Sequence, residues 1–67
     1  MTVRALRWKK MLNQGPFWAR VGITQSGGSR YETGRRIPRP VQMLLSLAYG
    51  TERERARVLR ALTNGKA

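Results

Sequence analysis

Glycine and proline cut this chain into short pieces. Pro16, Gly22, Gly34, Pro38, Pro40 and Gly50 interrupt the sequence so often that no apolar-periodic run between them exceeds about a dozen residues. The periodicity within the runs is helical, so the chain is confined to a series of short helices. The first is predicted over residues 3–12, where Val3, Leu6, Met11 and Leu12 form an apolar stripe among Arg4, Arg7, Lys9 and Lys10. The second starts near Pro16, a residue tolerated at a first helical position, and ends at Gly22. The third follows Thr24, a good N-cap, and ends at Gly34. The fourth covers residues 40–49, with Val41, Leu44, Leu45 and Ala48 at the spacing of a buried face. The fifth covers residues 52–63 behind the capping-box sequence Thr51-Glu52-Arg53-Glu54, with Val58, Leu59 and Leu62 on its apolar side. Residues 64–67 are expected to fray. The expected fold is all-α: a single domain over residues 1–67, a compact bundle of about five short helices containing a helix-turn-helix.

Composition excludes most chemistry. The chain has no Cys, His or Asp, and its carboxylates are Glu32, Glu52 and Glu54. Thiolate or imidazole metal ligands, clustered carboxylates and nucleophile–base pairs cannot be assembled from this set. No enzyme activity, metal or cofactor is expected. Fourteen Lys and Arg against three Glu give a net charge of +11, which points to a polyanionic partner. Nucleic acid is the first candidate and an anionic membrane surface the second. The longest uncharged run, residues 40–51, is far too short to span a bilayer. The first ten residues, MTVRALRWKK, lack the apolar stretch of a secretory signal, so a cytoplasmic, nucleoid-associated location is expected.

The segment over residues 14–38, QGPFWARVGITQSGGSRYETGRRIP, says most about function. It reads as helix, tight turn, helix and basic loop, with Phe17, Val21, Ile23 and Tyr31 apolar and Gly22 at the bend. A second helix that exposes Gln25, Ser26, Ser29 and Arg30 has the layout of a helix that enters the major groove of DNA. Trp8 is expected at the edge of the core, the alternative being a seat against DNA sugar and phosphate.

These residues resemble the Cro and phage-repressor (Xre-type) helix-turn-helix family. Gln14 stands where that family opens its first motif helix, Phe17 and Val21-Gly22 follow in register, and Ile23-Thr24 supplies the β-branched residue and cap. The run from Arg30 to Pro38, RYETGRRIP, matches the family's Arg-x-Glu-x-Gly-Arg-x-x-Pro ending. The resemblance implies a DNA partner and assigns roles. Gln25, Ser26, Ser29 and Arg30 would contact bases, Gln through adenine and Arg through guanine. Gln14, Thr24, Gly27, Arg35, Arg36 and Arg39 would contact the backbone, Gln14 beside a phosphate at a helix N-terminus. Glu32 would pair internally with a nearby Arg, and Tyr31 would lie in the core.

Two residues depart from the family pattern. Trp18 stands where a small residue is usual, and Gly28 where a β-branched one is usual. If the two positions face each other, Trp18 fills the space that Gly28 vacates. Otherwise Trp18 points outward and Gly28 only weakens its helix. Gly27-Gly28 costs about 2 kcal/mol relative to two alanines, so this helix is expected to be loosely ordered until DNA binds.

The leading functional expectation is a sequence-specific transcriptional regulator that represses by occluding a promoter. It would bind a palindromic operator as a homodimer built on the fourth and fifth helices. Arg53, Arg55, Arg57 and Arg60 make that self-contact awkward, so dimerisation is expected to be weak or DNA-assisted. The competing classes are an RNA-binding or ribosome-associated basic protein, a membrane-active cationic peptide, and a small inhibitor or interaction module.

Overall fold

A computed structural model describes residues 2–64. Among the described residues there are five helices and no strand: α1 (Val3–Lys9), α2 (Gln14–Ala19), α3 (Gln25–Glu32), α4 (Arg39–Tyr49) and α5 (Glu52–Thr63). The all-α class follows the punctuation of the sequence. The helices fall into two contact units, one ending at Ile37 and the other beginning at Pro38.

In the first unit α2 packs on α3. The tight turn between them needs Gly22, whose φ is +77°, and Gly34 follows α3 with φ +124°. A side chain at either position would meet the Cβ penalty of the left-handed region. Thr24 caps α3 as expected, its hydroxyl accepting from the Gly27 N–H at 3.1 Å. Phe17 and Trp18 are fully buried and Val21 nearly so, whereas Ile23 and Tyr31 are half-buried. Phe17 meets Trp18 edge-on with centroids 5.3 Å apart, and Tyr31 lies tilted on the same indole at 5.5 Å.

Trp18 and Gly28 do face each other. A Cβ built on Gly28 would fall inside the van der Waals surface of the Trp18 indole, at Cδ1 and Cγ. Trp18 therefore occupies the volume of a missing side chain, and the outward alternative is excluded by its complete burial. Despite its two glycines α3 is one unbroken helix over Gln25–Glu32. Thr24 holds its start, the indole supports its middle and Glu32 ties down its end.

Three sequence expectations are corrected in this unit. The first helix stops at Lys9, because Met11 takes a left-handed φ of 58° and is 90% exposed, outside any apolar stripe. The second helix begins at Gln14 behind Asn13, two residues before Pro16, since the first turn of a helix accommodates proline generally. Trp8 is 63% exposed and so is not at the core edge. Arg4 and Arg7, three residues apart on α1, both meet Glu32.

In the second unit α4 packs on α5. Pro38 and Pro40 set the start of α4, and a complete capping box starts α5. Thr51 Oγ1 accepts from the Glu54 N–H at 3.1 Å, and Glu54 Oε1 accepts from the Thr51 N–H at 3.0 Å. Hydrogen bonding to Thr51 holds the exposed Glu54 carboxyl below its usual pKa, the bond from the Thr51 backbone N–H first and the Thr51 side chain next. The buried residues of α4 are Leu45 and Tyr49. Leu44, expected on the buried face, is exposed, as are Leu59 and Leu62 of α5. The i, i+4 pair Leu45 and Tyr49 faces inward instead, because the larger ring buries more area. Of the tail expected to fray, Asn64 caps α5 and residues 65–67 lie outside the described residues.

Candidate nucleic-acid interface

The helix α3 presents its first turn and its Arg30 on one side. Gln25, Ser26, Ser29 and Arg30 line an open depression of about 480 Å³ together with Gln14 of α2. The four residues assigned to base contact are thus brought together, with one assigned to the backbone. Gln25, Ser26 and Arg30 are exposed and Ser29 is half-buried. The depression is polar and carries one formal charge, that of Arg30. Such a surface offers amide and hydroxyl groups that donate and accept, plus one guanidinium suited to paired acceptors.

The first residues of α2 and α3 meet at Gly15. A Cβ there would lie 3.6 Å from Gln25 Oε1, an ordinary contact, so the Gln25 amide rests over the start of α2. Gln14, half-buried, spends one hydrogen bond on Glu32. Thr24 is exposed, with its oxygen already accepting from Gly27. At Gly27 a Cβ would press on Ile23 Cγ2 at 3.2 Å and Thr24 Oγ1 at 3.3 Å. That internal crowding is a reason for glycine there beside the close approach to DNA expected from the sequence. Arg35 and Arg36 are exposed in the non-helical segment after α3. Arg39 is not in that loop: it is the first residue of α4 and belongs to the second unit.

The end of α3 carries a buried carboxylate. The Glu32 side chain has no exposed surface. Arg7 grips it with two parallel bonds of 2.9 Å, Nε to Oε2 and Nη2 to Oε1. The Trp18 indole N–H donates to Oε2 at 2.7 Å, and Arg4 Nε lies 3.6 Å from Oε1. A planar fork on a carboxylate is the strongest arrangement arginine makes. The internal pairing expected of Glu32 is present, and its partners are Arg7 and Arg4. In the sequence both arginines merely surround the apolar stripe of the first helix, and nothing there points to the Trp18 N–H as a partner of Glu32. The i, i+3 spacing of Arg4 and Arg7 was the available signal, yet nothing local ties α1 to a residue at the end of α3.

Burial alone would raise the Glu32 pKa. The hydrogen bonds from Arg7, Trp18 and Gln14, with the Arg7 charge, outweigh it and leave the pKa below its usual value. The unfolded chain then takes up this proton at higher pH than the folded chain. The stability Glu32 contributes is complete above its unfolded value, about 4.3, and is lost as pH falls through the lower folded value. Thermal midpoints should therefore be flat between about pH 7 and 5 and fall in stronger acid. Part of that fall should be missing in Glu32→Gln, and the remainder has the same sign because Glu54 is shifted the same way. A stability that rose on acidification would contradict the assignment.

Comparison with known proteins agrees with this geometry. Residues 4–48 match the RsaL-like helix-turn-helix domain, a span that takes in α1, the motif helices and most of α4. The chain belongs to the RsaL-like helix-turn-helix family, a family of the DNA-binding helix-turn-helix type. No curated protein and no solved structure matches it.

Proposed function

We propose that this chain is a non-enzymatic transcriptional repressor that occludes a promoter by binding its DNA, in the manner of the Cro and Xre-type repressors its motif resembles. The observation that carries this is the convergence of Gln14, Gln25, Ser26, Ser29 and Arg30 on one open surface of a chain with a net charge of +11. In this reading α3 lies in the major groove. Arg30 and Gln25 read base edges, with Ser26 and Ser29 beside them. Gln14, Thr24, Gly27, Arg35, Arg36 and Arg39 follow the phosphates. The chain acts as one domain in the cytoplasm, on the nucleoid. No helix among the described residues is long and apolar enough to cross a membrane.

Exposed Leu44, Leu59 and Leu62 support a homodimer through α4 and α5, and two copies would read a palindrome. The arginines of α5 oppose self-contact, so the dimer forms weakly or on DNA. Binding selection on random duplex DNA tests the whole reading, and a palindrome is the expected product. A single half-site would remove the dimer. Selection of nothing, with binding to single-stranded RNA or anionic vesicles instead, would remove the DNA reading.

On the selected site, affinity should fall steeply between low and moderate salt as counterions are released. Arg30→Ala should cost about 1–3 kcal/mol there and blur one base pair, whereas Arg36→Ala should weaken all sequences alike. Equal losses on specific and random DNA would take Arg30 out of the base-reading group.

A further inference from the structure

The turn between α1 and α2 holds Met11, the non-glycine residue with positive φ among the described residues, at 58°. That conformation usually falls to Gly, Asn or Asp. Methionine gains no burial there, being 90% exposed. The turn is nevertheless tightly held. The Met11 N–H donates to the Trp8 carbonyl at 2.9 Å, and the Leu12 N–H to the Arg7 carbonyl at 3.2 Å. Arg7 Nη1 donates to the Leu12 carbonyl at 3.0 Å. The same guanidinium grips Glu32 at the end of α3, so turn and α3 share one anchor. A strained residue that is over-determined by its surroundings and displayed to solvent is the kind found at binding sites.

Its neighbours are basic. Lys9 and Lys10 are exposed, and neither has an ion-pair partner among the described residues. Gln14, which lines the depression, is three residues beyond Met11, so their Cα atoms are at most about 11 Å apart. A polyanion seated in the depression has further phosphates within reach of this turn.

We propose that residues 9–12 form a second DNA-backbone contact flanking α3, with the Lys10 ammonium on a phosphate and Met11 against the adjoining deoxyribose. The inference rests on the DNA-binding reading above and adds a site to it. Lysine acts as a point charge and supplies no base discrimination. The contact therefore adds affinity for specific and random duplex alike.

The salt dependence of duplex binding by the full chain tests this, with Lys10→Gln compared with Arg57→Gln, which removes equal charge from α5. The slope of log affinity against log salt should shrink by about 0.9 in Lys10→Gln, for selected and random duplex, at an unchanged melting temperature. An unchanged slope would mean that Lys10 meets no phosphate, and an equal loss in Arg57→Gln that only bulk charge matters; either would overturn the proposal. A second measurement exploits the absence of cysteine from the chain. Met11→Cys carrying a tethered iron chelate should cut the sugar backbone beside the selected site. If wild type binds duplex but the tethered variant leaves it uncut at saturation, the turn contact fails and the DNA reading survives. If wild type binds no duplex, both fall.

Discussion

Glu32→Ala is expected to lower stability by about 3 kcal/mol, most of what a chain of this size has. The loss comes from what the carboxylate leaves behind. Arg7, with a side chain only 11% exposed, would lose both bonds of its fork. Trp18, fully buried, would keep an indole N–H with no acceptor. An unpaired buried charge and an unsatisfied buried donor each cost more than the original bonds contributed. Glu32→Gln should lose less, because an amide oxygen can still accept from the indole, although it cannot match the guanidinium fork. Urea unfolding of the two variants beside wild type provides the check. If alanine costs no more than glutamine, the acceptor for the indole contributes nothing, and if neither variant loses stability the fork is not what holds the end of α3.

The second large effect concerns Trp18 and Gly28. Trp18→Ala should cost about 3–5 kcal/mol, through the cavity and through the bond lost to Glu32. Gly28→Val alone places Cβ and more inside the indole, and overpacking of this kind costs about 1–3 kcal/mol. Helix propensity works the other way at position 28, since a helical glycine is itself unfavourable. Neither single variant is therefore decisive. The double variant, alanine at 18 with valine at 28, exchanges the two volumes back and should recover a good part of both losses. A coupling term of about 1–3 kcal/mol in the double-mutant cycle is expected, as for residues in direct contact. Simple additivity would show that the two positions do not share one volume.

Much of the architecture was legible because it depends on local signals. The helix periods, the Thr24 and Thr51 caps, the glycine bend at Gly22 and the proline break before α4 all act within a few residues. The candidate site was legible for the same reason. Gln25, Ser26, Ser29 and Arg30 recur at helical spacing, so one helix brings them to one side once Thr24 fixes its start. The volume exchange at Trp18 and Gly28 could be suspected from two departures in one register, and the structure closes it. Errors arose where local signals were ambiguous. Methionine gives no warning of a left-handed turn, and helical spacing alone could not separate Leu44 from Leu45.

The sequence by itself determined that this chain is a series of short helices, strongly basic and free of Cys, His and Asp, with Gln25, Ser26, Ser29 and Arg30 at helical spacing. These properties follow from composition and from interactions within a turn or two. Only the tertiary structure decided that Arg7 meets Glu32 across 25 positions, that the Trp18 N–H completes that carboxylate, and that Met11 stands exposed beside two exposed lysines. Such pairings depend on how α1, α2 and α3 approach one another, and burial raises their strength. A carboxylate in water would be indifferent to which arginine it met, whereas one without exposed surface requires the particular guanidinium that reaches it.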